Sequence, residues 1–85
     1  MPTISMFYGI IIRMYANDHE PKHFHALYQG NEATFDFNGD IMQGVMPNKQ
    51  RKIISAWAQI HTDELEANWV LSQNKEELFR IDSLR

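Results

Sequence analysis

Three of the four histidines of the chain lie between residues 19 and 25, in the segment Asp18-His19-Glu20-Pro21-Lys22-His23-Phe24-His25. Imidazole titrates near neutral pH and is the commonest metal ligand in proteins, so this segment is the strongest candidate for chemistry. Because side chains alternate along a strand, His23 and His25 are expected to point to the same, open side of a sheet. The segment therefore favours acid–base catalysis or metal binding.

A predicted hairpin brings a carboxylate to this histidine segment. If Gly30-Asn31 is the two-residue turn between strands 23–28 and 32–38, His25 pairs with Asp36. A carboxylate there fixes the tautomer of the ring and raises its basicity, which serves a general base or a metal ligand. The catalytic candidates are His19, His23, His25 and Asp36.

No cofactor and no metal are predicted, because loosely spaced histidines without cysteine are a weak metal signature. If a metal is bound, its expected ligands are His19, His23 and His25. Without a metal requirement, we also expect the metal-free chain to fold.

Two further groups of polar residues follow the histidine segment. His61, Glu64 and Asn68 recur at helical spacing within an apolar stripe, which predicts a buried polar network that joins helix to sheet. A helix start rich in cations is unusual, because cations there oppose the helix dipole, and an acidic partner or a phosphate would explain it. The binding candidates are Lys49, Arg51 and Lys52 at the helix start, and Arg13, Tyr15 and Lys22 around the histidines.

The chain is predicted to form a single domain, 1–85, whose composition changes near Pro47. A β-rich half (1–46) precedes a helical half (47–85), and these two halves must position the candidate residues. Apolar alternation predicts one strand over 6–15, and 41–46 is a candidate edge strand. In the register above, Phe24, Ala26 and Phe35 share one face, which predicts their burial together with Ile10.

The helical half is expected to begin at Asn48, a good N-cap, and to run to about residue 73. One helix is possible, or two if Thr62-Asp63 caps the second after a bend. Residues 74–85 then form a turn or an arm that Ile81 and Leu84 pin to the core. The predicted fold class is α+β: a small three- or four-stranded, mainly antiparallel sheet with one long or bent C-terminal helix packed on one face.

Composition excludes several classes of protein. The 85 residues contain no cysteine, which excludes disulfides and thiol catalysis, and no apolar run long enough to span a membrane. No secretory signal peptide is recognisable, so a cytoplasmic location without membrane contact is expected. The net charge of −3 provides no general attraction to nucleic acid, although a local patch could still bind it.

These residues resemble a widespread family of very small bacterial proteins classed as a domain of unknown function. The resemblance covers nearly the whole chain. Its marks include Phe7-Tyr8-Gly9-Ile10, the pattern Asp-His-x-Pro-x-His-Phe-His over 18–25, and His-x-x-Glu-Leu-x-x-Asn-Trp over 61–69.

The resemblance implies no established activity. It implies a small protein partner encoded beside the gene, the two forming a pair of the toxin–antitoxin kind. The leading hypothesis is therefore a protein- or nucleic-acid-binding component of such a module. One alternative is a histidine-dependent, ribonuclease-like toxin, with Arg13, Lys22 or Arg51 holding phosphate. The other is a metal-binding protein that uses the clustered histidines.

Overall fold

Five antiparallel strands form one sheet in chain order, and two helices follow them in the computed structural model, which describes residues 2–84. The strands are β1 (Thr3–Phe7), β2 (Ile10–Arg13), β3 (Phe24–Tyr28), β4 (Asn31–Phe35) and β5 (Ile41–Gly44). The helices are α1 (Asn48–Ile60) and α2 (Thr62–Gln73). The α+β class and the antiparallel sheet are confirmed, whereas the strand number of three or four was wrong.

The additional strand comes from the predicted strand 6–15, which is a hairpin. Tyr8 and Gly9 form its turn with φ values of 50° and 77°, and Phe7 pairs with Ile10. An Asn-Gly or Asp-Gly pair usually marks such a turn, but here an apolar tyrosine precedes the glycine and continues the alternation. The predicted edge strand is present as β5.

The second hairpin is displaced from the predicted register by two residues. Its turn is Gln29-Gly30, with φ values of 46° and 83°, so Phe24 pairs with Phe35 and His25 with Thr34. A shift of two leaves every side chain on its predicted face, so the burial pattern could not distinguish the two registers. The predicted pairing of His25 with Asp36 was therefore wrong.

The core lies between one face of the sheet and the two helices. Phe24, Ala26, Phe35 and Ile10 are buried together, as predicted. The ring of Trp57 meets that of Phe24 edge-on at 5.5 Å between centroids, and the ring of Trp69 meets that of Phe37 at 6.1 Å. The two helices thus cover one face of the sheet.

The helical half divides at His61, which lies between α1 and α2 with φ −111° and ψ 28°. The hydroxyl of Thr62 donates back to the carbonyl of Ala58 at 3.0 Å instead of capping α2. Asn48 is the first helical residue rather than the N-cap, a position that Pro47 occupies. Within residues 2–84, neither helix combines the length and apolar character needed to cross a membrane.

The residues after α2 form an arm that returns to the core. Ile81 is buried, and its N–H donates to the carbonyl of Ile4 at 2.7 Å. The indole N–H of Trp57 donates to the carbonyl of Asp82 at 2.8 Å. Leu84 packs against the core from outside, so both predicted anchors contact it.

Candidate functional site

The carboxylate of Asp18 lies between two imidazole rings. Its Oδ2 is 2.9 Å from Nε2 of His23 and 3.3 Å from Nε2 of His25. Within residues 2–84, these three side chains form a group whose potential metal-ligating atoms all lie within 4.8 Å of one another. We call Asp18, His23 and His25 the histidine–aspartate cluster.

Three separate parts of the chain hold this cluster in place. His25 lies within β3 and His23 directly precedes that strand, and both rings reach the carboxylate of Asp18. His23 is buried against Trp69 of α2, so the prediction that it lies on the open side of the sheet was wrong. Asp18 belongs to the loop between β2 and β3, and this loop is tied to the end of α2. The N–H of Asn17 donates to the carbonyl of Ser72, and the side-chain amide of Gln73 donates to the carbonyl of Asp18, both at 2.9 Å.

Each ring is also held at its other nitrogen. Nδ1 of His23 lies 2.7 Å from the carbonyl oxygen of Pro21. Nδ1 of His25 lies 3.2 Å from Oε2 of Glu32 on the neighbouring strand β4. Both imidazoles are therefore contacted by an oxygen at each ring nitrogen.

The cluster is mostly buried but opens on one side. The side chain of His23 is 7% exposed, and those of His25 and Asp18 are each 16% exposed. The ring of His23 lies against Trp69, and Tyr15 meets the ring of His25 edge-on at 4.3 Å. The open side is a shallow depression of about 140 Å³, with Thr34, Met42 and Gln43 among its lining residues.

Burial raises the pKa of Asp18, but the hydrogen bond from the backbone of His19 and the interactions with the rings of His25 and His23, which include the charge of His23 when it is protonated, together lower it more. The backbone N–H of His19 donates to Oδ1 at 2.9 Å, and His25 and His23 contact Oδ2. The net result is a pKa below the ordinary aspartate value. Asp18 is therefore charged at neutral pH.

Two of the predicted catalytic residues lie outside this cluster. His19 projects into solvent with 86% of its side chain exposed, and its Nδ1 lies 3.1 Å from Oδ1 of Asp18. Asp36 is engaged in its own turn, where Oδ1 accepts from the N–H groups of Asn38 and Asp40 at 2.9 and 3.0 Å. The carboxylates that contact His25 are those of Asp18 and Glu32, neither of which was among the predicted site residues.

Asp18 carried a signal that sequence reasoning could have used, because it opens the same segment as the histidines. For Glu32, no feature of the sequence indicated a contact with His25 unless the hairpin register was already known. Once the turn is Gln29-Gly30, Glu32 pairs with Leu27, and its carboxylate reaches the ring of His25.

The cationic candidates near the cluster have different surroundings. Arg13 is directly opposite His25 across β2 and β3, and its Nε is buried without a hydrogen-bond partner among residues 2–84. Lys22 forms an ion pair with Glu66 at 2.7 Å, and this hydrogen bond raises the pKa of Lys22. Of the two, Arg13 is the better placed to attract an anion to the cluster.

The cations at the start of α1 form a separate surface. Arg51 and Lys52 line an open depression of about 310 Å³ together with Asp40 and Gly39, and Lys49 is exposed beside them. No residue of the histidine–aspartate cluster lines this depression. The predicted binding residues thus belong to two surfaces.

The predicted network of His61, Glu64 and Asn68 is two separate contacts. Nδ1 of His61 is hydrogen-bonded to the carboxylate of Glu64 at the junction of the helices. Asn68 is fully buried, and its amide bonds both the carbonyl and the N–H of Phe79, at 2.9 and 3.1 Å. The second contact fastens the C-terminal arm to α2.

Comparison with known proteins gives one match. The model of the family described as Domain of unknown function (DUF4160) matches residues 9–70, which is most of the chain. The match extends from the β1–β2 turn into α2 and includes all three residues of the cluster. No curated protein and no solved structure matches.

Proposed function

The chain belongs to the family described as Domain of unknown function (DUF4160), and we propose that it is the protein-binding component of a two-protein bacterial module, of the toxin–antitoxin kind, in the cytoplasm. The observation that supports this proposal is the composition of the sheet face that the helices leave uncovered. On that face an apolar row of side chains runs beside a polar row.

The strand register defines the two rows. Met6, Ile11 and Leu27 are successive partners across β1, β2 and β3, and form the apolar row. The polar row consists of Arg13, His25, Thr34 and Gln43 from β2, β3, β4 and β5. Protein interfaces combine an apolar centre with polar neighbours in this way, and arginine and methionine are enriched in them.

The charges on this face favour a protein over a nucleic acid. Binding to nucleic acid depends on cations that replace the counterions of the phosphates. On this face Arg13 pairs across the strands with His25, whose ring nitrogens contact the carboxylates of Asp18 and Glu32. The whole chain carries a net charge of −3, so long-range attraction to phosphates is absent as well.

The proposal is tested with the small protein that the resemblance leads us to expect beside the gene. Met6→Asp places a charge in the apolar row at a side chain that is 55% exposed. Val70→Asp is the matched control, because Val70 is 57% exposed but lies on α2. Affinities are measured by isothermal titration calorimetry on the purified full-length chains.

We expect Met6→Asp to weaken binding at least about tenfold, which corresponds to about 1.4 kcal/mol, because the charge must be desolvated. Val70→Asp should bind as the wild type does. Absence of a complex with the wild-type chain would contradict the proposal. Weakening by Val70→Asp alone would place the interface on the helices instead.

A second candidate function is histidine-dependent cleavage of RNA. It is supported by the position of Arg13 directly opposite His25, whose other neighbour is Asp18. A guanidinium beside a histidine–carboxylate pair supplies phosphate binding together with proton transfer. If this candidate is correct, the purified chain degrades RNA, and His25→Ala abolishes the cleavage.

A further inference from the structure

The two rings of the histidine–aspartate cluster make more contacts with acceptor oxygens than two neutral imidazoles would have protons to donate. His23 faces the carbonyl of Pro21 with one nitrogen and the carboxylate of Asp18 with the other. His25 faces the carboxylates of Glu32 and Asp18 in the same way. A neutral imidazole carries only one N–H group, so it can donate to one of its two oxygen neighbours and not to both.

The contacts at Nδ1 indicate which nitrogen keeps its proton. A carbonyl oxygen can only accept, so at 2.7 Å the nitrogen of His23 donates to Pro21. The remaining Nε2 of neutral His23 is then an unprotonated lone pair directed at a charged carboxylate oxygen 2.9 Å away. Two such electron-rich atoms repel each other unless a positive charge is bound next to both of them.

We propose that this positive charge is a divalent first-row transition-metal ion, bound by Oδ2 of Asp18 and by Nε2 of His23 and His25. The ion accepts one electron pair from each of these three atoms, which otherwise repel one another. With metal–ligand bonds of about 2.0–2.2 Å, neighbouring ligand atoms lie about 2.9–3.5 Å apart. The two nitrogen–carboxylate separations, 2.9 and 3.3 Å, fall within that range.

The outer contacts of the rings are those of metal-bound histidines. A histidine that ligates through one nitrogen commonly donates its other N–H to a backbone carbonyl or a carboxylate, which fixes the tautomer and the ring orientation. Pro21 provides the carbonyl for His23, and Glu32 provides the carboxylate for His25. Both ligands are thus oriented for coordination.

The donor set selects the class of metal. Two imidazoles and one carboxylate suit zinc, iron(II), cobalt(II) or nickel(II), whereas magnesium and calcium prefer sites built of oxygen alone. Three protein ligands leave at least one coordination position for water or another ligand. The side of the cluster that faces the shallow depression is available for it.

The experiment uses the full-length chain after chelator treatment, titrated with zinc chloride and, separately, with cobalt chloride. We expect one zinc ion per chain, and visible absorption bands with cobalt(II). Magnesium chloride in excess should not displace either metal. Asp18→Asn and His25→Ala should each weaken zinc binding by at least about 10–100-fold, because each affects a direct ligand.

Two control variants separate this site from other histidines. His61→Ala removes the other histidine–carboxylate pair, His61 with Glu64, and should leave the zinc affinity unchanged. His19→Ala removes an exposed ring that contacts Oδ1 rather than Oδ2 of Asp18, and should also leave it unchanged. His23→Ala is a poorer probe, because the ring is buried against Trp69 and its loss could unfold the chain.

Circular dichroism establishes that each variant is folded before its affinity is interpreted. Wild-type binding no tighter than that of His25→Ala would overturn the proposal, and would mean that protonated rings supply the positive charge. Loss of binding in His19→Ala with full binding in Asp18→Asn would overturn the ligand set. Coordination would occupy both Nε2 atoms, so chelator-resistant RNA cleavage through these nitrogens would also contradict the proposal.

Discussion

One oxygen of Asp18 contacts both imidazoles of the candidate site, and this single atom determines what the site can do. Its low pKa keeps the carboxylate charged, while the two rings bring unshared electron pairs or protons to the same point. Replacing Asp18 therefore changes the electrostatics of both histidines together. Its effect on binding or activity should exceed that of replacing His19, which is mostly exposed.

Asn68 is a second residue whose role follows from its individual contacts. Asn68→Ala should lower the free energy of unfolding by about 1–3 kcal/mol, because the carbonyl and N–H of Phe79 lose their partner. Urea denaturation monitored by tryptophan fluorescence measures the change. Asn74→Ala, at the exposed end of α2, is the control and should stay within about 0.5 kcal/mol of the wild type.

An equal effect of the two asparagine substitutions would contradict this account of Asn68. It would mean that the other contacts of the arm, such as the burial of Ile81, its hydrogen bond to Ile4 and the indole of Trp57, hold it without Asn68.

At the scale of elements, the connection between β4 and β5 sets how closely the sheet approaches α1. Gly39 lies in this connection with φ +91°, and a methyl group built on it would be 2.7 Å from Cα of Ser55. Backbone atoms of a helix cannot move aside as the end of a flexible side chain does. The close approach therefore requires glycine at this position.

Gly39→Ala should lower the free energy of unfolding by about 1–3 kcal/mol more than Gly30→Ala, because overpacking adds to the backbone strain that both share. Gly30 is the matched control, since its φ is +83° and nothing lies within 4 Å of an added methyl group. Chemical denaturation of both variants measures the difference. Equal losses would show that the loop can move away from α1.

At the scale of the whole molecule, we expect the fold not to depend on the proposed metal. The buried apolar side chains come from β1, β2, β3, β4, the connecting loops, both helices and the C-terminal arm, and they form one cluster. The histidine–aspartate cluster lies at the side of this core. This arrangement differs from that of domains whose core is too small to form without metal.

The chelator-treated chain should therefore remain folded, with a cooperative thermal transition and native circular dichroism. Added zinc should raise Tm through binding to the native state, by an amount that increases with zinc concentration. Differential scanning calorimetry with and without chelator measures both effects. Complete loss of the transition in chelator would show that the metal is structural and that the core alone is insufficient.

The amino-acid sequence determined the features that depend on local pattern. A β-rich half before a helical half, the common face of Phe24, Ala26 and Phe35, and the concentration of histidines in one segment follow from composition and spacing. Within one strand, period-two alternation assigns each side chain to a face. Ile10 joins the same core as predicted, but alternation does not continue through a turn: Met6, on the face of Ile10 in the predicted strand 6–15, is 55% exposed because the Tyr8-Gly9 turn lies between them.

Only the tertiary structure decided which carboxylates meet the histidines. Two hairpin registers that differ by two residues bury the same side chains, yet one gives His25 the partner Asp36 and the other gives it Thr34, with Glu32 in contact. Asp18 reaches the rings because its loop is held by Ser72 and Gln73, more than 50 residues along the chain. Contacts between segments so far apart depend on how α2 packs against the sheet, and no local pattern of residues encodes them.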